Sequence, residues 1–167
     1  EDMKIVGSVE DLAKGEKIYS ARFMGKRAYI VTFKKVDPLF VIDLAIPESP
    51  KVLGYLKITG YSDYLHPYDE NHLIGIGKEA EASDEGNFAW YQGMKVSLFD
   101  VTDVENPIET AKFNIGDRGT SSNALYDHKA VLFDKEKGIL AIPVSLYERK
   151  DNSSSGSNYG TYIWEGL

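Results

Sequence analysis

The sequence predicts an all-β fold made of repeated four-stranded antiparallel units. Its 167 residues include 12% aromatic side chains and 15 glycines, a combination that favours short strands joined by tight turns. Asp43, near the end of a predicted strand, is followed seven residues later by Pro50, and Asp100 precedes Pro107 by the same spacing. Because these two copies are 57 residues apart, the chain contains an internal repeat.

The repeat continues in the residues that follow each proline. Residues 51–58 and 108–115 both mix apolar and β-branched side chains over the length of one strand, and residues 4–9 closely match 51–56. Two further strands fit between successive copies, so we denote the four strands of a unit A, B, C and D in chain order. Four short antiparallel strands in ~45–60 residues are typical of one blade of a β-propeller.

The strands of each unit can be placed on the sequence in order. In the first unit they cover residues 18–23, 27–33, 39–44 and 51–58. In the second unit they cover residues 61–66, 72–76, 97–101 and 108–115. In the third unit, which lacks strand D, they cover residues 124–133, 139–144 and 161–164. The chain is therefore a partial propeller domain over 1–167, with strand D of a preceding blade and three blades at 1–10, 17–59, 60–116 and 121–167.

Three units are too few for a closed ring, because propellers typically have about four to eight blades. Two arrangements are open at this point. In the first, the chain is part of a longer propeller. In the second, chains combine, and the N-terminal strand D completes a third unit that lacks one. Exposed blade edges would also allow two copies to pair as a homodimer.

Composition excludes several classes of function. The net charge is −7 and no basic stripe is present, so the sequence predicts no nucleic-acid binding. The absence of cysteine removes disulfides, thiolate metal sites and a cysteine nucleophile. No apolar run approaches ~18 residues, so we expect no membrane span within this sequence. The chain begins at Glu1 and not at Met, which we interpret as a processed or excised piece.

Specific runs of residues now allow a resemblance to be named. The chain resembles the β-propeller domain of secreted archaeal and bacterial proteins that are distantly related to WD repeats. The matching runs are residues 23–33, 36–44, 64–67, 70–77, 97–101 and 124–130. The resemblance implies a larger, exported parent protein located outside the cell or at the cell surface. It implies no activity, because the family is uncharacterised, and it transfers no catalytic residue.

Two groups of residues are candidate cation sites. His66 and His128 fall at or just after equivalent A strands, and Asp127 is adjacent to His128, so a zinc site at the centre of the propeller is one interpretation. The alternative is that each histidine is a hydrogen-bonded residue of its blade. The second B-to-C loop, predicted at 77–93, is acidic and could bind calcium or a partner through Glu79, Glu81, Asp84 and Glu85. The alternative is a solvated acidic loop.

The third B-to-C loop, predicted at 145–160, contains a low-complexity stretch with the sequence Asn152-Ser153-Ser154. This is a glycosylation sequon, and Asn152 would be its acceptor in an exported protein. Asp43 and Asp100 come just before turns, where a carboxylate can accept hydrogen bonds from backbone N–H groups, and we predict a structural role for both.

The sequence contains no marked catalytic motif, so it favours a non-catalytic scaffold. We expect this scaffold to bind a protein, a peptide or a glycan through its loops. A carbohydrate-active hydrolase or lyase is the first alternative, since any of the 26 acidic residues could form a catalytic pair. A domain that only spaces other domains is the second. A cleft with two facing carboxylates would favour the enzyme, and a broad tyrosine-rich surface would favour binding.

Overall fold

The computed structural model of the chain describes residues 2–33, 37–82, 89–150 and 157–167. Within these ranges the chain forms two four-stranded antiparallel sheets and a third unit of two two-stranded sheets. This confirms the all-β fold and its four-stranded blades. No helix in the described ranges has both the length and the apolar character needed to cross a membrane.

The two complete sheets are the first and second blades, and in both the strands pair in chain order. The first blade consists of β1 Lys17–Met24, β2 Arg27–Phe33, β3 Asp37–Asp43 and β4 Lys51–Ile58. The second consists of β5 Tyr61–Pro67, β6 His72–Ala82, β7 Ala89–Asp100 and β8 Ile108–Ile115. The strands predicted at 27–33, 51–58 and 108–115 have the same bounds in the structure.

The two blades share the same irregularities of register. The pairing of the first two strands is interrupted between Ile18 and Ser20 in the first blade, and between Ser62 and Tyr64 in the second. The residue left out of each ladder is therefore Tyr19 in one blade and Asp63 in the other. Such an extra residue is a β-bulge, which bends the strand and redirects a side chain. The two bulges therefore place a tyrosine in the first blade and an aspartate in the second blade at equivalent positions of the repeat.

The two blades bury their facing sides against each other. A single apolar core lies between them. Strands that are covered on both faces have apolar residues at nearly every position, which supplies the side chains of this core. From the first blade this core contains Tyr29, Val31, Phe33, Leu39, Val41 and Ile58. From the strands of the second blade and the turn between β7 and β8, the core contains Tyr61, Leu65, Leu73, Phe99 and Val101.

The other face of the second blade is covered by the third unit. This unit contains β9 Leu132–Asp134, β10 Ile139–Ala141, β11 Val144–Glu148 and β12 Thr161–Gly166. Its contact with the second blade is a second core, formed by Ile74, Ile76, Met94, Ala124, Leu125, Ile142 and Val144. The three units therefore stack side by side, with the second blade in the middle.

The predicted A and B strands of the third unit are wrong in detail. Most of the strand predicted at 124–133 is replaced by two 3-10 helices, Asn123–Leu125 and His128–Ala130. The side chains of Ser122 and Asp127 accept hydrogen bonds from backbone N–H groups at the starts of these helices, which competes with a strand ladder. The predicted strand 139–144 is divided between β10 and β11, because Pro143 has no N–H to donate.

One further prediction stays open and another is corrected by the structure. Residues 2–10 contain no regular structure, and no described strand lies beside them, so the assignment of residues 1–10 to strand D of a preceding blade stays a prediction. The loop predicted at 77–93 is largely strand, because β6 and β7 continue as a paired arm in which Ala80 is opposite Tyr91 and Glu81 is opposite Trp90. Residues 83–88, between these two strands in the sequence, lie outside the described residues.

The structural role predicted for the two repeated aspartates is confirmed. Asp43 accepts a hydrogen bond from the N–H of Ala45 at 2.8 Å, and Asp100 accepts one from Thr102 at the same distance. Each carboxylate thereby closes the turn that connects strand C to strand D. The sequence repeat is thus repeated in the hydrogen bonds of the structure.

Candidate functional site

The paired arm of β6 and β7 positions two aromatic side chains on opposite faces. We use the name aromatic arm for residues 78–82 together with residues 89–93. Trp90 and Tyr91 are successive residues of β7, and successive side chains of a strand point to opposite faces of the sheet. One ring therefore faces the first blade and the other faces the third unit.

Tyr91 completes an aromatic cluster with the first blade. Its ring centroid lies 5.7 Å from that of Phe33 and 5.2 Å from that of Tyr61. Tyr19 approaches the same cluster, with its centroid 4.5 Å from that of Tyr61 and its hydroxyl 3.4 Å from the Tyr91 hydroxyl. Tyr61 is buried, which raises its pKa, whereas Tyr91 is 40% exposed. Tyr61 is thus the buried part of the cluster, and the ring of Tyr91 is accessible from the surface.

Trp90, on the other face of the arm, stacks with an arginine. The Arg118 guanidinium carbon lies 4.6 Å from the Trp90 ring centroid and 4.4 Å from that of Tyr159. An arginine held between two aromatic faces gains from cation–π attraction and is kept in one orientation. Tyr159 is 69% exposed, so this stack also reaches the surface.

A polar cleft of about 340 Å³ lies where β1, β5 and the 3-10 helices of the third unit meet. It is lined by Ala21, Arg22, Asp63, Tyr64, Ala124, Leu125, Tyr126 and His128. Arg22 crosses from the first blade to the second, where its Nε donates to the Leu65 carbonyl oxygen at 2.7 Å. Its Nη2 also donates to the Tyr64 hydroxyl at 3.0 Å. Arg22 therefore ties the two inner strands together at the edge of the cleft.

Asp63, the bulged residue of the second blade, is the one carboxylate among the described residues that line this cleft. Burial raises its pKa to about 7, although the positive charge of Lys78 opposes the shift. The cleft therefore lacks the pair of carboxylates that glycoside hydrolysis requires, as far as its described lining shows. Its chemistry is one titratable acid beside an arginine and a histidine.

The predicted zinc ligands have separate local roles. His66 Nδ1 lies 2.9 Å from the Tyr64 hydroxyl, and its ring packs edge-on against Phe133. Burial lowers the pKa of His66, and the nearby Arg22 adds to this effect. Asp127 accepts a hydrogen bond from the N–H of Lys129 at 2.9 Å, and His128 is exposed at the cleft. In the described ranges, no group of three or more His, Cys, Asp or Glu side chains could hold a metal.

The predicted acidic loop is only partly described. Glu79 forms an ion pair with Lys112 at 2.9 Å, and Glu81 accepts a hydrogen bond from Gln92 at 3.4 Å. Burial raises the pKa of Glu79, but hydrogen bonds from Lys112 and Thr59 outweigh it and leave this pKa below its ordinary value. Asp84 and Glu85 lie outside the described residues, as does the predicted glycosylation site Asn152.

Exposed apolar residues also mark one edge of the third unit. In β12, Tyr162, Ile163 and Trp164 are 53%, 46% and 42% exposed. This strand pairs with β11 and, among the described strands, with no other. Self-association through such edges stays a prediction.

The aromatic residues of the arm were not identified from the sequence. Trp90 and Tyr91 fall within the segment predicted to be a loop, so their positions on two faces of a strand were not foreseen. The feature of the sequence that could have identified them is the pair of adjacent large aromatic residues, which is unusual in a solvated loop. Arg118 was not identified from the sequence either, because its stacking depends on residues from two other parts of the chain.

Comparison with protein families agrees with this architecture. A family model described as Beta propeller domain matches residues 1–165, which is nearly the whole chain. An uncharacterized protein of Methanocaldococcus jannaschii is 47% identical over 142 residues, covering 85% of this chain and 21% of the relative. An uncharacterized protein of Archaeoglobus fulgidus is 41% identical over 143 residues, with 86% and 21% covered.

The chain spans about a fifth of the length of these curated relatives. No solved structure gives a significant match to the chain.

Proposed function

Because the chain belongs to the β-propeller domain family, we propose that it is a non-catalytic binding scaffold of an exported protein, with a polypeptide as its partner. The observation that carries this proposal is the aromatic arm, where adjacent residues Trp90 and Tyr91 serve two separate aromatic groups. The proposed contact surface consists of Tyr91 and Tyr19 on one side, and of Trp90, Arg118 and Tyr159 on the other.

The composition of this surface favours a polypeptide partner. Tyrosine, tryptophan and arginine are the residues that most often contribute binding energy at protein interfaces. The ring of Tyr91 already packs against Tyr61, and the ring of Tyr159 already packs against Arg118. Little side-chain entropy is therefore lost when a partner contacts either ring. One carboxylate in the described lining of the inner cleft gives no comparable support to a carbohydrate hydrolase or lyase.

The binding proposal can be tested with peptides selected on the domain from a random display library, alongside an array of immobilised glycans. We expect selected peptides to lose at least about 10-fold in affinity to Tyr91→Ala and to Tyr159→Ala. Tyr55→Ala is the matched control, because Tyr55 is 56% exposed but lies on β4 at the outer edge of the first blade.

Peptides that bind all three variants equally would contradict the proposed surface. Glycans whose capture depends on Tyr91 and Tyr159 would replace the polypeptide with a carbohydrate as the ligand. Turnover of a glycan by the domain would overturn the non-catalytic assignment. A domain that binds neither class would be left with a spacer role.

Export is supported by the resemblance to secreted propeller proteins alone. It can be examined in Methanocaldococcus jannaschii, whose relative is 47% identical, with an antibody against the shared region. We expect the relative in the cell envelope or the medium, and its recovery with cytosolic marker proteins would argue against export.

A further inference from the structure

Residues 2–10 contain no strand, yet they lie against a defined part of the first blade. At Gly7, an added Cβ would meet the carbonyl oxygen of Pro47 and would lie 3.0 Å from Cδ of Pro50. Both prolines belong to the turn between strands C and D of the first blade. The N-terminal segment therefore approaches this turn so closely that only glycine fits at position 7.

The same relation occurs between the first and second blades. An added Cβ at Gly54, on β4, would meet the carbonyl oxygen of Val104 and, at 2.6 Å, that of Glu105. Val104 follows Pro47 by 57 residues, which is the spacing of the sequence repeat. Gly7 and Gly54 thus contact equivalent positions of two successive turns. The N-terminal segment therefore contacts the first blade in the same way that β4, the outer strand of the first blade, contacts the second blade.

The sequences of the two segments agree with this placement. Lys4-Ile5-Val6-Gly7 matches Lys51-Val52-Leu53-Gly54 in charge, apolar character and glycine position. In β4, Val52 is paired with Ile42 of the neighbouring C strand, and Lys51 is paired with Asp43. No strand lies beside the N-terminal segment in the described structure, and Ile5 is 93% exposed. Residues 4–9 therefore have the position and the sequence of an outer strand but lack its partner.

We infer that residues 4–9 are the outer strand of a further blade, which packs on the first blade and whose inner strands come from another part of the same parent polypeptide. The partner is an extended strand with the pattern of β3 and β7, which ends in an aspartate opposite Lys4 and places an apolar residue opposite Ile5. Pairing of this kind satisfies the unpaired backbone groups of an exposed strand. The curated relatives, of which the chain spans about a fifth, have the length to supply such a blade.

The inference can be tested by supplying the missing strands. A second copy of residues 17–50, which contains strands A to C of the first blade, is joined directly to Lys4 of the chain. Since Pro50 precedes Lys51 in the natural order, the junction reproduces the connection to strand D. We expect hydrogen exchange at the amides of residues 5–9 to become at least about 100-fold slower than in the original chain. The added residues should also resist proteolysis.

Two variants of the fused chain serve as controls. Gly7→Val places a side chain against Pro47 and should abolish the new protection, while exchange in β5–β8 stays unchanged. Ser8→Ala is the matched control, because Ser8 is exposed, and it should retain the protection. Unchanged fast exchange at 5–9 in the fused chain would overturn the inference, whether or not the added residues fold. Protection that appears only in a dimer, as measured by light scattering, would assign the partner strand to a second copy and overturn the intrachain arrangement.

Discussion

The first and second blades share one frame, by which we mean their four strands and the turns that join them. They differ in the length of one connection between strands. Both have four strands paired in chain order, a bulge at the same point between strands A and B, and an aspartate that closes the turn after strand C. They differ in the connection between strands B and C, which in the second blade is extended into the aromatic arm. The frame is thus determined by the repeat, and the feature we associate with binding lies where the repeat is broken.

The largest effect is expected where the frames of the two blades meet. Phe99 is fully buried in the core between them, and its counterpart on the C strand of the first blade is Ile42. Phe99→Ala should lower the free energy of unfolding by about 3–5 kcal/mol, because it removes buried apolar area and leaves a cavity. Ile42→Val removes a single methyl group and should cost about 0.5–1.5 kcal/mol. Urea denaturation would measure both, and equal losses would show that the two positions are not packed as the structure describes.

An intermediate effect is expected at the two equivalent bulges. Burial raises the pKa of Asp63 from 3.8 to about 7, so between these pH values the folded state binds more protons than the unfolded state. The free energy of unfolding should therefore fall as pH rises from about 4 to about 7. Asp63→Asn should remove this fall and stabilise the domain at pH 8 by about 1–2 kcal/mol, after allowance for solvent screening.

The control for this prediction comes from the first blade. Tyr19 occupies the bulge there, and Tyr19→Phe should leave the pH dependence of stability unchanged. Thermal unfolding of both variants and of the natural chain, followed from pH 4 to pH 8, is the measurement. A fall in stability that persists in Asp63→Asn would assign the pH dependence to another group.

The smallest effect is expected at the turns, where the two blades should behave alike. Asp43→Ala and Asp100→Ala each remove a carboxylate that accepts a backbone hydrogen bond at 2.8 Å. We expect each change to lower the melting temperature by about 2–4 °C. Similar shifts in melting temperature would show that the two aspartate turns contribute equally to stability in both blades. A shift confined to one of them would show that the turns are not equivalent.

The frame was accessible from the sequence because strand length, apolar pattern and turn residues all indicate the same elements. The strand at 51–58, for example, has the same bounds in prediction and structure. The aromatic arm was not accessible, because residues such as Lys78, Glu79 and Glu81 resemble a solvated loop, and the arm is held by its backbone ladder. Local periodicity carries no information about such pairing.

The candidate site was less predictable than the fold for a related reason. Tyr19 and Tyr91 are 72 residues apart and meet only because the two blades stack. The 3-10 helices of the third unit likewise depend on hydrogen bonds from Ser122 and Asp127, whose residue types also occur in ordinary turns. Contacts of this range follow from the packing of whole units and from no single motif.

The pairing of strands in chain order has a consequence for biosynthesis. Every strand pair of the two blades joins neighbours in the sequence, so a sheet can form as soon as its own stretch of chain is available. The first blade can therefore assemble while the second is still being translated, and the second then folds onto a surface that already exists. Growth of such a chain proceeds by the addition of units, which makes duplication of a whole unit an accessible evolutionary step.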